Sequence, residues 1–480
     1  MNSNFIKFLI LFFSLNFTVS AGQLKTNTEL IELQIRAGNF SKATEMIDDL
    51  INSGKLTETE TCNLLFRKDQ LNRIRIDFKL NEQQVKDQLK VYFPALTEKQ
   101  LRRWENSNQL EMKLIDGKRH YFKMAVSNLF RLDSTASAVR TKTTGKPADP
   151  LQGFLKNHLT VLMDSFKNGN TKYTDQRKIT LQYSMTLPAD VVPPGETIRC
   201  WMPFPREDFN RQSNIHLNKI NADHYIISPV ENNHRTLYCE KVTREAVPTV
   251  FEMEVSFNTQ SEWVNLSNKS IPSFDINSEV YKTNTAERPP HIIFSEQIKS
   301  LTNQIIGNET DAYRKVKLIY HWIGTNIPWC SALEYSTIDN IPEYVLKYRH
   351  GDCGMKTLLF MTMARYAGIP CRWQSGWMLH PVEVNLHDWC EVYYEGIGWV
   401  PLDQSFGEQK SNNESIRLFY SSGIDGYRFI VNNDFSQPLF PAKIFPRSET
   451  VDFQRGEMEW RGGNLYFDKW KYKMMVQYSR

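Results

Sequence analysis

The sequence predicts an α+β protein. A mixed core fills its C-terminal part, preceded by a β-sandwich and a mainly helical N-terminal region. Three observations carry this reading. Apolar residues recur at helical spacing between about Asn27 and His158, segments alternate with a period of two between about Arg177 and Val264, and residues 350–407 pass from a helix into a hairpin. A chain of 480 residues exceeds one core and points to about three domains. The expected segments are a leader over 1–21, a helical domain over 22–165, a sandwich over 170–264 and a reactive domain over 291–480.

The leader reads MNSNFIKFLILFFSLNFTVSAGQ. Lys7 is a sparse positive region, Phe8 to Val19 is mostly apolar, and Val19-Ser20-Ala21 fits a cleavage site after Ala21. The apolar run is short for a membrane span, and no later run approaches that length. The expectation is an exported protein, periplasmic or secreted, with no integral membrane segment after cleavage. The net charge of +4 gives no reason to propose nucleic acid as partner.

In the helical region, LIELQIRAGNFSKATEMIDDLINSG reads as two amphipathic helices around Gly38-Asn39. LNEQQVKDQLKVYF and LTEKQLRRWENSN give two more, and QLEMKLIDGKRHYFKM is a hairpin turning at Asp116-Gly117. Helix, helix, hairpin is the outline of a winged helix. Arg102, Arg103, Lys118 and Arg119 lie nearby, but so small a basic cluster reads as a solvated face, and a structural or protein-contact role is preferred.

From Arg177 the pattern alternates, punctuated by Pro193-Pro194-Gly195. YIISPV, RTLYCEKV and VFEMEVSFNTQ follow as strands at the spacing of an immunoglobulin-like sandwich. Cys200 and Cys239 each fall in a strand, either as a pair or as two buried thiols. The seven cysteines are an odd number, which in an exported protein leaves one free thiol. No C-x-x-C pair is present, so zinc-ligand spacing is absent and no metal or other cofactor is expected.

After a polar connection, two helices lead to the reactive stretch. In the second, Val316, Ile319, Tyr320 and Ile323 share a face, while His321 lies off it. Cys353 then opens MKTLLFMTMARYA, which has no Pro or Gly and carries Leu358, Leu359, Met363 and Ala367 at helical spacing until Gly368-Ile369-Pro370 stops it. At a helix N-terminus the exposed N–H groups and the dipole favour a thiolate. Asp352 would oppose that charge unless it caps the helix.

HDWCEVYYE and WVPLDQS flank the turn Gly396-Ile397-Gly398 and form a hairpin. Alternation puts His387, Trp389 and Glu391 on one face, and the correct register brings Asp403 to His387. In that arrangement Asp403 holds the imidazole tautomer, His387 takes the thiol proton, and Cys353 attacks a carbonyl. Each residue taken singly has an ordinary explanation: a buried Cys, a half-buried strand His, a turn Asp. Their order along one stretch gives the reactive reading its weight.

That order resembles the transglutaminase-like superfamily of papain-fold cysteine enzymes. The matching pieces are Gly351-Asp352-Cys353-Gly354, Arg365-Tyr366-Ala367-Gly368-Ile369-Pro370, Ser375-Gly376, His387-Asp388-Trp389 with Glu391-Val392-Tyr393, and Gly398-Trp399-Val400-Pro401-Leu402-Asp403. The resemblance implies a papain-like α+β core with a Cys353-His387-Asp403 triad. It does not imply one reaction, since members include cross-linkers, proteases and amidases. An oxyanion donor is sought upstream, with Trp329 and Tyr335 as candidates beside the Cys353 N–H; Trp329 equally fits a packed cleft wall. Trp377 and Trp389 are candidates for an acyl groove or for aromatic core.

Two functions are weighed. One is an exported cysteine enzyme acting on protein, peptide or other amide carbonyls through a thioester, with hydrolysis preferred to amine transfer. The other is a multidomain binding protein with an unused triad.

Overall fold

The apolar periods read after Asn27 become helices in the computed structural model, which describes residues 26–145, 147–267 and 269–479. The expected leader lies outside the described residues. The chain divides between Thr144 and Gly145 into two compact units.

The first unit contains helices Phe40–Asn52, Glu58–Asp77, Glu82–Lys90, Glu98–Asn106, Ala125–Leu132 and Ser134–Thr144. Polar residues start them. The Thr57 hydroxyl accepts from the Glu60 N–H, and the Glu60 carboxylate accepts from the Thr57 N–H in return. A small sheet of order β1-β3-β2 is built from β1 (Leu80–Asn81), β2 (Met112–Ile115) and β3 (Lys118–Tyr121). The β2–β3 hairpin turns at Asp116-Gly117, both at positive φ. Its neighbouring arginines are bound to carboxylates: Arg102 to Glu82, Glu98 and Glu105, and Arg103 to Asp133.

The second unit opens with helix Pro150–Gly169. Its strands are β4 (Tyr173–Leu187), β5 (Thr197–Pro203), β6 (Gln212–Ile220), β7 (Tyr225–Ile227), β8 (Thr236–Val242) and β9 (Thr249–Trp263). Then come β10 (Cys371–His380), β11 (Glu383–Tyr394), β12 (Gly398–Leu402), β13 (Gly423–Ile424) and β14 (Arg428–Asn432). The C-terminal stretch adds β15 (Glu457–Trp460), β16 (Gly463–Leu465) and β17 (Lys471–Ser479).

The strands expected over 170–264 form, but not as a self-contained immunoglobulin-like sandwich. One sheet runs β13-β9-β4-β17, with β6 also on β9; the other runs β16-β15-β5-β8-β7. Both borrow strands from beyond residue 420. The cause lies in the alternation itself: it marks which residues face inward and leaves the pairing partner open. Between the sheets lie Ile179, Leu181, Tyr183 and Met185 of β4 and Phe251, Met253, Val255 and Phe257 of its neighbour β9, in one core with Trp201 of β5. Full burial of each such side chain stabilises by ~1.5–3 kcal/mol. Cys200 and Cys239 stand opposite each other on β5 and β8, both as free thiols.

A third sheet, β12-β11-β10-β14, carries the reactive stretch. The helix predicted to open at Cys353 spans Cys353–Tyr366 and is buried along nearly its whole length. It packs against β10 and β11 and against helices Ala312–Asn326 and Ile341–Tyr348. Val316, Ile319, Tyr320 and Ile323 are buried as their spacing requires, and exposed His321 pairs with Glu408. Of the tail, only β14 joins this sheet; β13 and β15 to β17 complete the other two.

Candidate active site

Cys353 stands at the first position of its helix because Asp352 caps it: a carboxylate oxygen of Asp352 accepts from the Met355 N–H at 3.1 Å. The hairpin of β11 and β12 places Cys390 opposite Leu402, so Asp403 follows directly after the last paired residue. There its Oδ2 lies 2.6 Å from His387 Nε2. Arg428 of β14 donates to the same oxygen at 3.1 Å, and the Ser405 and Phe406 N–H groups cap Oδ1. Burial alone would raise the Asp403 pKa, but His387 and Arg428 hold it below the ordinary carboxylate range.

The structure therefore joins His387 to Asp403 through the expected register. Cys353 has a different partner. Its Sγ donates to Asp388 Oδ2 at 3.2 Å, and among the described residues no hydrogen bond links it to His387. Strand geometry accounts for this: successive side chains of β11 point to opposite faces. His387 lies with Trp389 and Phe406, whereas Asp388 turns to the start of the Cys353 helix.

Burial pushes the Cys353 thiol well above its ordinary pKa, and the Asp388 and Asp352 carboxyls add to the rise. The thiolate expected from the helix N-terminus is outweighed: a dipole equivalent to about half a charge faces two buried carboxyls and desolvation. Burial also raises Asp352 to about 6 and Asp388 to about 8. Asp452 and Glu449, buried in the same place, are raised well above the usual range, chiefly by desolvation. The Arg455 charge, 3.8 Å from Glu449 and ion-paired to Glu334 at 2.5 Å, offsets part of this rise. Lys356, one turn into the helix, is lowered to about 8 by burial against the pull of Asp403 and Cys353.

The remaining candidates separate by their contacts. Tyr335 is buried over the thiol, but its hydroxyl donates to Asp352 at 2.6 Å and lies 3.4 Å from Asp388, so it is committed to the carboxyls. Trp329 is partly exposed at 37% and is bridged to Gly351, two residues before the thiol. Trp377 and Trp389 do not line an open groove. Trp377 donates to the Gln454 carbonyl and packs on Tyr183 and Tyr472; Trp389 is fully buried and donates to Gln374 Oε1 at 2.6 Å. Both are core residues, in separate clusters: Trp377 joins the large core around β4 and β9, and Trp389 packs with Ile424 and Ile430.

Sequence reading noted Asp388 only as the acidic neighbour of His387, without a role, and passed over Gln454 and Arg428. Asp388 lay inside the quoted His-Asp-Trp motif, and its charge on a buried strand was the available signal. Among the described residues no cluster of His, Cys, Asp and Glu has the arrangement of a metal site, and no helix is long and apolar enough to cross a membrane.

A family model described as the transglutaminase-like superfamily matches residues 299–404, which hold Cys353, His387 and Asp403. An uncharacterised protein of Haemophilus influenzae is 24% identical over 273 residues, covering 50% of this chain and 73% of the relative. The uncharacterised protein YebA of Bacillus subtilis is 24% identical over 131 residues, 23% of this chain and 18% of its own length. Among solved structures, a candidate cysteine protease from Cytophaga hutchinsonii shares 14% identity with a TM-score of 0.42, over 64% of this chain and 91% of that one. The periplasmic domain of TgpA from Pseudomonas aeruginosa shares 14% with a TM-score of 0.27, over 51% and 91%.

Proposed function

From the premise that residues 299–404 carry a transglutaminase-like core, we propose that this protein is an exported cysteine enzyme that cleaves amide or peptide bonds through a thioester on Cys353. The observation that supports it most is the set of elements converging on one place. A thiol opens a buried helix, and that helix packs on the hairpin joining His387 Nε2 to Asp403 Oδ2 at 2.6 Å. In this reading Cys353 is the nucleophile, His387 carries protons and Asp403 fixes the imidazole tautomer. The Cys353 N–H supplies one oxyanion donor, and Trp329 is the second candidate since Tyr335 is engaged. Water as acceptor makes the enzyme a protease or amidase. An amine acceptor would make it a cross-linker.

The thiol's pairing with Asp388 favours a second reading, a binding protein with an unused triad. Incubation of the full chain with unfolded casein decides between them, with soluble peptides and cross-linked species read by mass spectrometry. Cleavage that falls at least a hundredfold in Cys353→Ala and in His387→Ala is the expected result. Equal products from wild type and Cys353→Ala would leave the binding reading.

A further inference from the structure

We propose that Arg428 is a positioning residue for the triad. Shared between Asp403 and a second buried carboxylate, Asp425, its charge keeps Asp403 ionised, so that His387 carries its proton on Nε2 and presents a bare Nδ1 to the Cys353 thiol. This deepens the reading above and rests on it for the roles of Cys353 and His387.

Two His–carboxylate pairs flank one guanidinium. On one side His387 Nε2 lies 2.6 Å from Asp403 Oδ2; on the other His380 Nε2 lies 3.2 Å from Asp425 Oδ1. Arg428 Nη2 reaches both carboxylates, Asp403 Oδ2 at 3.1 Å and Asp425 Oδ2 at 3.3 Å. The Phe406 ring covers the group, with His387, His380 and the guanidinium centred 5.0, 5.6 and 4.7 Å from it. Arg428, Asp403, Asp425 and His380 are all buried. Among the described residues, Nε and Nη1 of Arg428 make no hydrogen bond, so its polar attachment rests on the two carboxylates.

The charges explain why a cation belongs there. Two carboxylates taken out of water and gathered at one nitrogen repel each other, and the cation between them lets both stay ionised. Burial alone would raise each. His387 and Arg428 hold Asp403 below the ordinary range, and Arg428 with His380 holds Asp425 well below it. Asp403 is also faced by Lys356 from the Cys353 helix, and Tyr320 donates to its carbonyl at 3.1 Å. Around Asp425 stand His380 from β10, His158 from helix Pro150–Gly169, the Tyr420 hydroxyl donating at 2.7 Å and the Tyr427 N–H at 2.9 Å. Asp388 stands apart, since it leaves the opposite face of β11 and accepts from Gln454 at 2.6 Å.

Without the guanidinium this cluster takes up a proton. Asp425 is held lower than Asp403, so the proton falls on the Asp403–His387 pair. On Asp403 it turns the ring to the Nδ1–H tautomer; on His387 it makes an imidazolium. Either way Nδ1 is occupied and cannot accept the thiol proton. Removing Asp425 as well restores the balance, because one carboxylate beside His387 needs no second cation.

The test reads the ring. The full chain carrying Cys353→Ala, so that the thiol adds no proton, is made with isotope-labelled histidine, and the ring nitrogens are followed by NMR near neutral pH. His387→Gln assigns the signal. Nδ1 is expected to be bare with Arg428 in place, protonated in Arg428→Met, and bare again in Arg428→Met with Asp425→Asn. With Cys353 restored, casein cleavage is expected to fall about a hundredfold in Arg428→Met near neutral pH and to recover by about tenfold or more in the double variant. In Arg428→Met it also recovers as pH is raised. A bare Nδ1 in Arg428→Met would show that Lys356 and the backbone donors suffice for Asp403, and the proposal is overturned. A double variant that keeps Nδ1 protonated, or that shows no cooperative melt, makes Arg428 a packing residue and overturns it equally; this variant decides if Arg428→Met alone does not fold. If wild type cleaves no casein while the ring signals behave as expected, the enzyme reading falls and the role of Arg428 at Asp403 stands.

Discussion

Gly354, directly after the thiol, has no room for a side chain. A Cβ there would lie 2.2 Å from Tyr335 Oη and 2.7 Å from Asp388 Oδ2. Gly354→Ala must therefore push the Tyr335 ring and the Asp388 carboxyl off the sulfur. The expected outcome is a loss of about 1–3 kcal/mol in denaturant unfolding, from overpacking, together with faster iodoacetamide labelling of Cys353, since a displaced Asp388 carboxyl no longer adds to the rise of the thiol pKa. Stability equal to wild type would mean that Tyr335 and Asp388 are not held as described. At this scale the sequence exposed what depends on residue type and local order. Cys353, His387 and Asp403 were legible because each sits at a helix start, strand or turn that the pattern marks. Asp352 was legible as a cap. Asp388 was not, because its partner is fixed by how a helix docks on a strand face. The same blindness applies to Trp377 and Trp389, whose ring contacts come from β17 for the first and from β13 and β14 for the second.

Among elements, the join between β10 and β14 is the narrowest. A Cβ on Gly376 would lie 1.8 Å from the Phe429 carbonyl, where the pairing shifts register between Ser375 and Gly376. β14 carries Arg428, which reaches both Asp403 at 3.1 Å and Asp425 at 3.3 Å. Gly376→Ala is thus expected to part the two strands, remove Arg428 from Asp403 and abolish cooperative unfolding, read by thermal melting. The Ser-Gly pair was visible in the sequence as part of a motif. Its physical reason, backbone meeting backbone, is visible only once β14 is seen to return beside β10. Strands as such were legible from alternation. Their neighbours were not, since alternation is blind to pairing.

For the whole molecule, the buried carboxyls set a pH signature. A carboxyl raised by folding adds stability that is fully present below its unfolded pKa and is lost as pH rises through its folded value. For Asp388 that window runs from the ordinary carboxylate range to about 8. Asp388→Asn has no such loss. Comparing melts of the two proteins between pH 5 and pH 9 should show the difference moving in the variant's favour, by up to about 1.4 kcal/mol per pH unit inside the window. A difference that stays constant with pH would show that Asp388 is not protonated by folding. The site lies wholly within the second unit, so residues 145–480 alone are expected to keep Cys353 labelling at the wild-type rate.

The way the late strands are woven in bears on synthesis. Ile179 of β4 pairs with Tyr478 of β17, and Cys200 of β5 with Met458 of β15. Domains generally fold as their chain emerges, yet one sheet lacks β15 and β16 until Leu465 has been made and the other lacks β17 until Ser479. Until then β4 and β5 are exposed edges, hazardous in a crowded cell, and Gln454 is not in place to clamp Asp388. A nascent chain thus holds Cys353 without the strands that enclose it, and a ribosome that stalls before β15 releases a protein with exposed, adhesive edges. Long-range pairing of this kind is slow, and it ties the final surroundings of the Cys353 thiol to completion of the strands that enclose it.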